Sequence, residues 1–406
     1  MKLVTELFLD YVAYDTQSDE NSTSYPSTAK QLELLRHLKA QLEGWGIEAE
    51  MDEFGYVTAT LPTNQKGAQP KVCLLAHVDT SPAVSGKDVK PRIVDYEGGD
   101  VLLNEEPRYV LSREEFPALD KYRGKQLIVT DGTTLLGADD KAGVAEIMAA
   151  VRYLLDHPDV PRPTLKIAFT PDEEVGGGVA HFDVDKFGAD FGYTIDGGEI
   201  GEINYECFNA ASAKVIVHGT SIHPGDAYGK MINAVDAFCE FHSALPADER
   251  PATTKDYQGF YMADEVSGSV EGLTAKYILR DHDLDKLQAK KAFILEVARR
   301  LNDKYGREVI EVILRDQYRN MRAALQDGHM DLIDKAKEAF TACGVEPFVV
   351  PIRGGTDGAQ LTARGLPCPN LSAGGHNFHG RYEYIPLQSL ETMVDVLVTL
   401  LTDLTR

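Results

Sequence analysis

Basic residues are in short supply in this chain: Lys plus Arg total 41 against 64 Asp plus Glu, a formal net charge of -23 over 406 residues. A field of that sign repels phosphate backbones and anionic headgroups, which argues against nucleic-acid and membrane-surface roles. Cysteine is sparse as well. The five (Cys73, Cys207, Cys239, Cys343, Cys368) are odd in number and scattered, with no Cys-x-x-Cys pair, so neither a disulfide framework nor a thiolate zinc site is expected. No apolar run approaches transmembrane length, and Met1–Glu6 leads to Asp10 before any stretch that would serve as a signal peptide. Internal repeats and low-complexity tracts are lacking too. The expectation left by these absences is a soluble cytoplasmic protein with reduced thiols. With 43% hydrophobic and 26% charged residues, the chain has an ordinary globular composition and the length for one large domain plus a smaller one.

The apolar pattern predicts an α/β fold. Leu32, Leu34, Leu35, Leu38 and Leu42 recur at helical spacing before a stop at Gly46. Alternating residues on either side of Gly55 predict a hairpin, and Val72–Ala76 reads as a buried strand. Residues 82–126 are polar, with Pro, Gly and little period, and read as a surface excursion without an assigned role. A strand from Lys125, a helix from Ala142 to Leu155, and strands at Thr164–Thr170 and Phe191–Ile195 follow. Alternating strands and helices imply a mixed, mostly parallel sheet with helices on both faces. After Cys207 the order becomes βαββαβ, a ferredoxin-like unit over residues 208–320, inserted into a first domain of residues 1–207 and 321–406.

Ionisable residues gather where the strands stop. His77-Val78-Asp79 ends one strand, and Gly137-Ala138-Asp139-Asp140-Lys141 precedes the helix at 142. Pro171-Asp172-Glu173-Glu174 and Asp196-Gly197-Gly198 end two more strands. In an open α/β sheet the carboxyl ends of the strands form the ligand crevice. Converging carboxylates repel one another and are costly to desolvate, so a positive charge must sit among them. His nitrogen with Asp and Glu oxygen suits zinc, with cobalt and manganese as competitors, and a carboxylate shared between two ions would set a spacing of about 3.5–4 Å. Taken singly, each motif also has a plain structural reading, Asp140 as a helix cap and the Glu pair as a helix N-terminus.

These motifs, with Ile222-His223-Pro224-Gly225 and Asn377-Phe378-His379-Gly380, resemble those of the dinuclear-zinc exopeptidase family that includes carboxypeptidase G and acetylornithine deacetylase. The resemblance spans essentially the whole chain. It implies that His77 and Asp196 hold one zinc, Glu174 and His379 the other, and Asp139 both, with Asp140 in support and a cis Asp139–Asp140 peptide. It further implies that Asp79 orients the His77 ring, that Glu173 is the general base, and that His223 donates to the oxyanion. The inserted domain would serve as a lid and dimerisation element. Arg353 and Asn233 are candidate substrate contacts, though for Arg353 a plain salt bridge is an equal reading, and His376 reads as a local donor. The implied activity is removal of the N-terminal residue from short peptides, chiefly tripeptides. A carboxypeptidase or N-acyl-amino-acid deacylase would use the same ligands, and a binding module that has lost catalysis is the rival outside enzymology. The residue that reads the substrate's amino group is not legible in the sequence.

Overall fold

The computed structural model describes residues 2–405. The chain forms two compact units, one of Met1–Tyr205, Ala323–Val350 and Thr356–Arg406, the other of Glu206–Arg322 and Pro351–Gly355. The first is built on an eight-stranded mixed sheet. Its order is Ala49–Met51, Val57–Leu61, Thr164–Thr170, Lys71–His77, Phe191–Gly197, Asn370–Ser372, Glu202–Asn204 and Phe348–Val349. The middle strands, from Thr164–Thr170 to Asn370–Ser372, run parallel.

Strand Lys71–His77 shows why this sheet has helices on both sides. Its period of two sends Val72, Leu74 and Ala76 into the larger core and Cys73 and Leu75 into the smaller one. The larger core is closed by helices Leu3–Tyr11, Gln31–Gly44, Ala138–Asp156, Asp331–Ala342 and Leu387–Asp403. The smaller core receives Leu361 of helix Asp357–Ala363 and Phe187 of the short helix Val184–Phe187.

Two segments depart from the expected layout. Strand Lys125–Val129 does not join the main sheet. It lies between Tyr384–Pro386 and Arg92–Tyr96 in an antiparallel three-stranded sheet. The region read as a featureless excursion holds this Arg92–Tyr96 strand and a hairpin of Val101–Asn104 with Tyr109–Leu111. Tyr96, Val101, Leu103, Leu111, Leu119 and Tyr122 pack there on Leu127, Val129 and Tyr384 as a separate core. These apolar residues are spaced too widely along the chain to give a clear period.

The second unit is the βαββαβ arrangement: Asn209–His218, helix Ala234–Ala244, Phe260–Gly268, Gly272–Asp281, helix Leu284–Tyr305 and Ile310–Asp316. The sheet order is Phe260–Gly268, Gly272–Asp281, Asn209–His218, Ile310–Asp316, antiparallel throughout. One face carries Ala211, Ala213, Val215 and Val217 against both helices. Pro351–Gly355 groups with this unit because the Arg353 guanidinium is bound to the backbone of residues 256 and 258.

Among the described residues no helix is long and apolar enough to cross a membrane. Helix Ala138–Asp156 nevertheless buries a charge-bearing side chain, Glu146, whose two carboxylate oxygens have no hydrogen-bond partner. Burial raises its pKa well above the usual glutamate value. The folded state therefore holds a proton that the unfolded chain releases at about pH 4.3, and stability falls as pH rises above that value, by about 1.4 kcal/mol per unit until Glu146 ionises in place. Glu146→Gln removes this slope. Urea denaturation is expected to show the variant more stable than the parent at pH 7 and indistinguishable from it near pH 4; equal stability at both would refute this.

Candidate metal centre

Three neighbouring parallel strands deliver most of the site. His77 ends its strand, Asp196 lies at the end of Phe191–Gly197, and Glu173 and Glu174 follow Thr170 in a short turn. The next strand, Asn370–Ser372, leads to His379. Asp139 arrives from another direction, at the start of helix Ala138–Asp156 beyond the strand of the small sheet.

The side chains meet in two groups of three that share one member. His77 Nε2 lies 3.0 Å from Asp139 Oδ1 and 3.4 Å from Asp196 Oδ1. His379 Nε2 lies 3.0 Å from Asp139 Oδ2 and 2.9 Å from Glu174 Oε2. In each group the potential ligand atoms all fall within 4.8 Å of one another, and Asp139 turns a different oxygen to each.

The surrounding residues hold these groups in place. His77 Nδ1 is 3.1 Å from the Asp79 carbonyl and 3.3 Å from Asp79 Oδ1. Both are acceptors, so Nδ1 carries a proton, and Nε2, the atom that bears the lone pair whenever the ring is neutral, faces Asp139 and Asp196. The Asp79 carboxylate also accepts the N–H groups of Glu173 (3.0 Å) and Glu174 (3.2 Å), tying the ring to the turn. Asp140 is turned away from both groups. Its oxygens accept the N–H of His77 (3.2 Å) and of Gly143 (3.3 Å), and the Asp139–Asp140 peptide is cis. Gly143 is required by space: a Cβ there would stand 1.9 Å from the Ile195 carbonyl.

One supporting residue went unnoticed in the sequence. Glu383, fully buried, accepts the N–H groups of Leu136 (2.7 Å), Gly137 (2.8 Å) and Asp139 (3.1 Å), fixing the turn that presents Asp139. An acid inside the strand-like run Tyr382-Glu383-Tyr384-Ile385 was the available signal.

Negative charge is in excess here, and the titration behaviour reflects it. Burial pushes Glu174 up to about 7 and Asp196 up to about 6, each reinforced by the charge of Asp139. Burial, with Asp196 next, also raises Glu173 well above its usual range. Hydrogen bonds to Asp139 and Glu174 pull His379 up to about 11. Asp139 is held low against its burial by His379 and His77. Glu173, Glu174 and Asp196 resist ionising for want of positive charge, which is the environment a divalent cation relieves. Glu174 Oε1 is buried without a hydrogen-bond partner. The donor set, two imidazole nitrogens and three carboxylates in groups sharing one, suits a pair of such ions.

His376 stays outside both groups. It hydrogen-bonds with the Tyr122 hydroxyl at 2.6 Å, stacks on Tyr384, and is held neutral by burial, its pKa lowered to about 4. The remaining expected residues belong to the second unit. His223 is exposed, and its Nδ1 accepts the Gly225 N–H at 3.1 Å. Asn233 caps helix Ala234–Ala244, its Oδ1 accepting from Val235 N–H at 3.0 Å. Arg353 donates from Nη1 to the carbonyls of Asp256 (2.7 Å) and Gln258 (2.8 Å) and from Nη2 to Thr254 Oγ1 (3.0 Å), its guanidinium over the rings of Phe208 and Phe260.

The sequence profile of peptidase family M20/M25/M40 matches residues 127–403. The chain belongs to that family. Among curated M20 relatives, Peptidase T of Caldanaerobacter subterraneus subsp. tengcongensis is 52% identical over 400 residues, with 98% of each chain covered. Peptidase T of Clostridium novyi is 48% identical, with 99% of each covered. Among solved structures, aminopeptidase PepT from Bacillus cereus superposes with a TM-score of 0.78 at 22% identity, covering 100% of this chain and 98% of that one. The YXEP protein of Bacillus subtilis, described as a dinuclear metal binding peptidase of the M20 family, superposes with a TM-score of 0.68 at 14% identity, covering 99% and 97%. The M20 fold thus includes both units of this chain.

Proposed function

We propose that this protein is a two-metal aminopeptidase that removes the N-terminal residue from tripeptides. The observation that carries the reading is Asp139, which turns one oxygen to His77 and the other to His379. Near-full-length similarity to proteins named Peptidase T supports the substrate class. His77 and Asp196 would hold one ion and Glu174 and His379 the other, with Asp139 shared. Zinc is the best match to two imidazoles and three carboxylates, and cobalt or manganese would compete. The bound ions supply Lewis acidity and lower the pKa of a water molecule from 15.7 toward about 7.

The protein's own groups then do the rest. Asp79 keeps the His77 ring in the tautomer with its lone pair on Nε2. Glu173 takes a proton from the attacking water and delivers it to the leaving amine nitrogen, a role its burial suits. His223 has Nδ1 engaged as an acceptor, so its proton is on Nε2, the atom proposed to donate to the developing oxyanion. Asn233 and Arg353 are proposed substrate contacts. For Arg353 a bidentate clamp on a carboxylate requires giving up carbonyls it already holds. The reading extends to a cytoplasmic location, in keeping with five unpaired cysteines, and to a homodimer.

Metal-loaded protein incubated with a free tripeptide, its N-acetylated twin, a dipeptide and a tetrapeptide tests this. Release of the N-terminal residue from the free tripeptide, lost on chelation and restored by metal, is expected. Cleavage of the blocked peptide alone would point to a deacylase or carboxypeptidase, and metal binding without turnover to a binding module.

A further inference from the structure

Asp172 stands immediately before Glu173 at φ +62°, in the left-handed region uncommon for residues other than glycine and entered among them mostly by Asp and Asn, and it is buried. Glycine takes that conformation without cost, and three glycines follow within six residues, so the strain calls for a reason in the side chain. The carboxylate supplies one. Its Oδ2 accepts the Ser27 N–H at 2.5 Å, and its Oδ1 accepts the Ser27 hydroxyl at 2.5 Å and the Gln31 side-chain amide at 2.6 Å. The Asp172 N–H donates back to Gln31 Oε1 at 3.0 Å. Gln31, fully buried, is the first residue of helix Gln31–Gly44, and the Asp172 carbonyl accepts the Gly177 N–H at 2.8 Å. The far side of the turn is held from the same N-terminal segment, where the Tyr25 hydroxyl donates to the carbonyl of Gly178 at 2.9 Å.

We propose that Asp172 is a positioning residue for the Glu173 base, clamping the 171–177 turn to Ser27 and Gln31; this rests on the assignment of Glu173 above. Glu174 and Glu173 share the turn but differ in what else holds them. Glu174 would be fixed at its carboxylate by a metal ion, whereas Glu173 depends on its backbone. Besides the turn's own bond from Gly176 N–H to the Glu173 carbonyl, that backbone has two anchors outside the turn, the Glu173 N–H on Asp79 and the preceding residue on Ser27 and Gln31. Releasing the second lets the base tilt while the metal ligands keep their grip. A displacement of about 1 Å at a reacting group costs on the order of 100-fold in rate.

Asp172→Gly keeps the backbone conformation and deletes the carboxylate's bonds to Ser27 and Gln31, and Asp172→Asn keeps the conformation and one of the two acceptor oxygens. For the glycine variant, kcat is expected to fall at least tenfold, with KM and the content of two metal ions unchanged; the asparagine variant, which keeps an acceptor for the Ser27 hydroxyl and the Gln31 amide, should recover part of the loss. In the double variant Asp172→Gly with Glu173→Gln, the glycine should add nothing to the loss from Glu173→Gln alone, since residues acting through one group are not additive. Wild-type kcat in Asp172→Gly beside an inactive Glu173→Gln would overturn the proposal and leave the base in place. So would a double variant in which the two losses multiply, or a fall in kcat that tracks loss of metal. An active Glu173→Gln would remove the base assignment and this proposal with it. Should Asp172→Gly fail to fold, Gln31→Leu, which leaves Asp172 untouched, carries the test: reduced kcat with both metals bound supports the clamp, and wild-type kcat overturns it.

Discussion

Replacing Glu173 by alanine is expected to lower kcat by about 10²–10⁴-fold while two metal ions remain bound. That range corresponds to about 3–5 kcal/mol of lost transition-state stabilisation. The separation between chemistry and metal binding follows from the geometry. Neither group of three that shares Asp139 includes Glu173. Its N–H, which anchors the turn on Asp79, belongs to the backbone and survives the substitution. The side chain is therefore removable without disturbing His77 or Glu174. Steady-state kinetics with metal analysis on the same preparation decides it: unchanged turnover would refute the assigned base, and loss of both metals would make Glu173 a structural member of the centre.

The second large effect lies at the shared carboxylate. Asp139→Ala takes an oxygen from both groups at once, and neither His77 with Asp196 nor Glu174 with His379 makes up a three-residue set alone. Both ions should be lost at stoichiometric metal, and turnover with them. Asp140→Ala acts one step further out. It deletes acceptors for the His77 and Gly143 N–H groups without removing any atom proposed to touch metal. Losses of such supporting bonds cost about 10–100-fold in metal affinity, or about 1.4–2.7 kcal/mol. Competition titration with a chromophoric chelator compares the two, and equal losses would end the distinction between bridge and support.

The parts of this molecule that were readable from sequence are those where one local pattern decides the outcome. Val72–Ala76 is a continuous apolar run and Leu165–Phe169 one broken only by Lys166, each stopped by polar residues, so strand, strand end and candidate site residue come from a single stretch. The βαββαβ unit was readable because its helices and its strands Asn209–His218 and Gly272–Asp281 each bury one regular face. Pairing between distant segments was less accessible. Lys125–Val129 looks like any other buried strand, and its place in a separate sheet depends on Tyr384–Pro386, more than 250 residues later. The partners of Glu383 and Asp172 were out of reach for the same reason. An acid that accepts three backbone N–H groups resembles, in sequence, an acid facing solvent. Arg353 shows the converse, a cation whose motif suggests a ligand and whose donors are met by nearby carbonyls.

The fastening of the Asp139 turn by Glu383 has a consequence for how the molecule is made. Synthesis runs from the N-terminus, and domains fold as their residues become available. His77, Asp139, Glu174 and Asp196 are all present once the first half of the chain is complete, yet the turn carrying Asp139 has no carboxylate to close on until residue 383 exists, and the second group lacks His379. On the proposed ligand set, capture of both metal ions would thus be among the last events as the chain is made. A ribosome-bound fragment lacking residues 379 and 383 would lack the complete proposed centre.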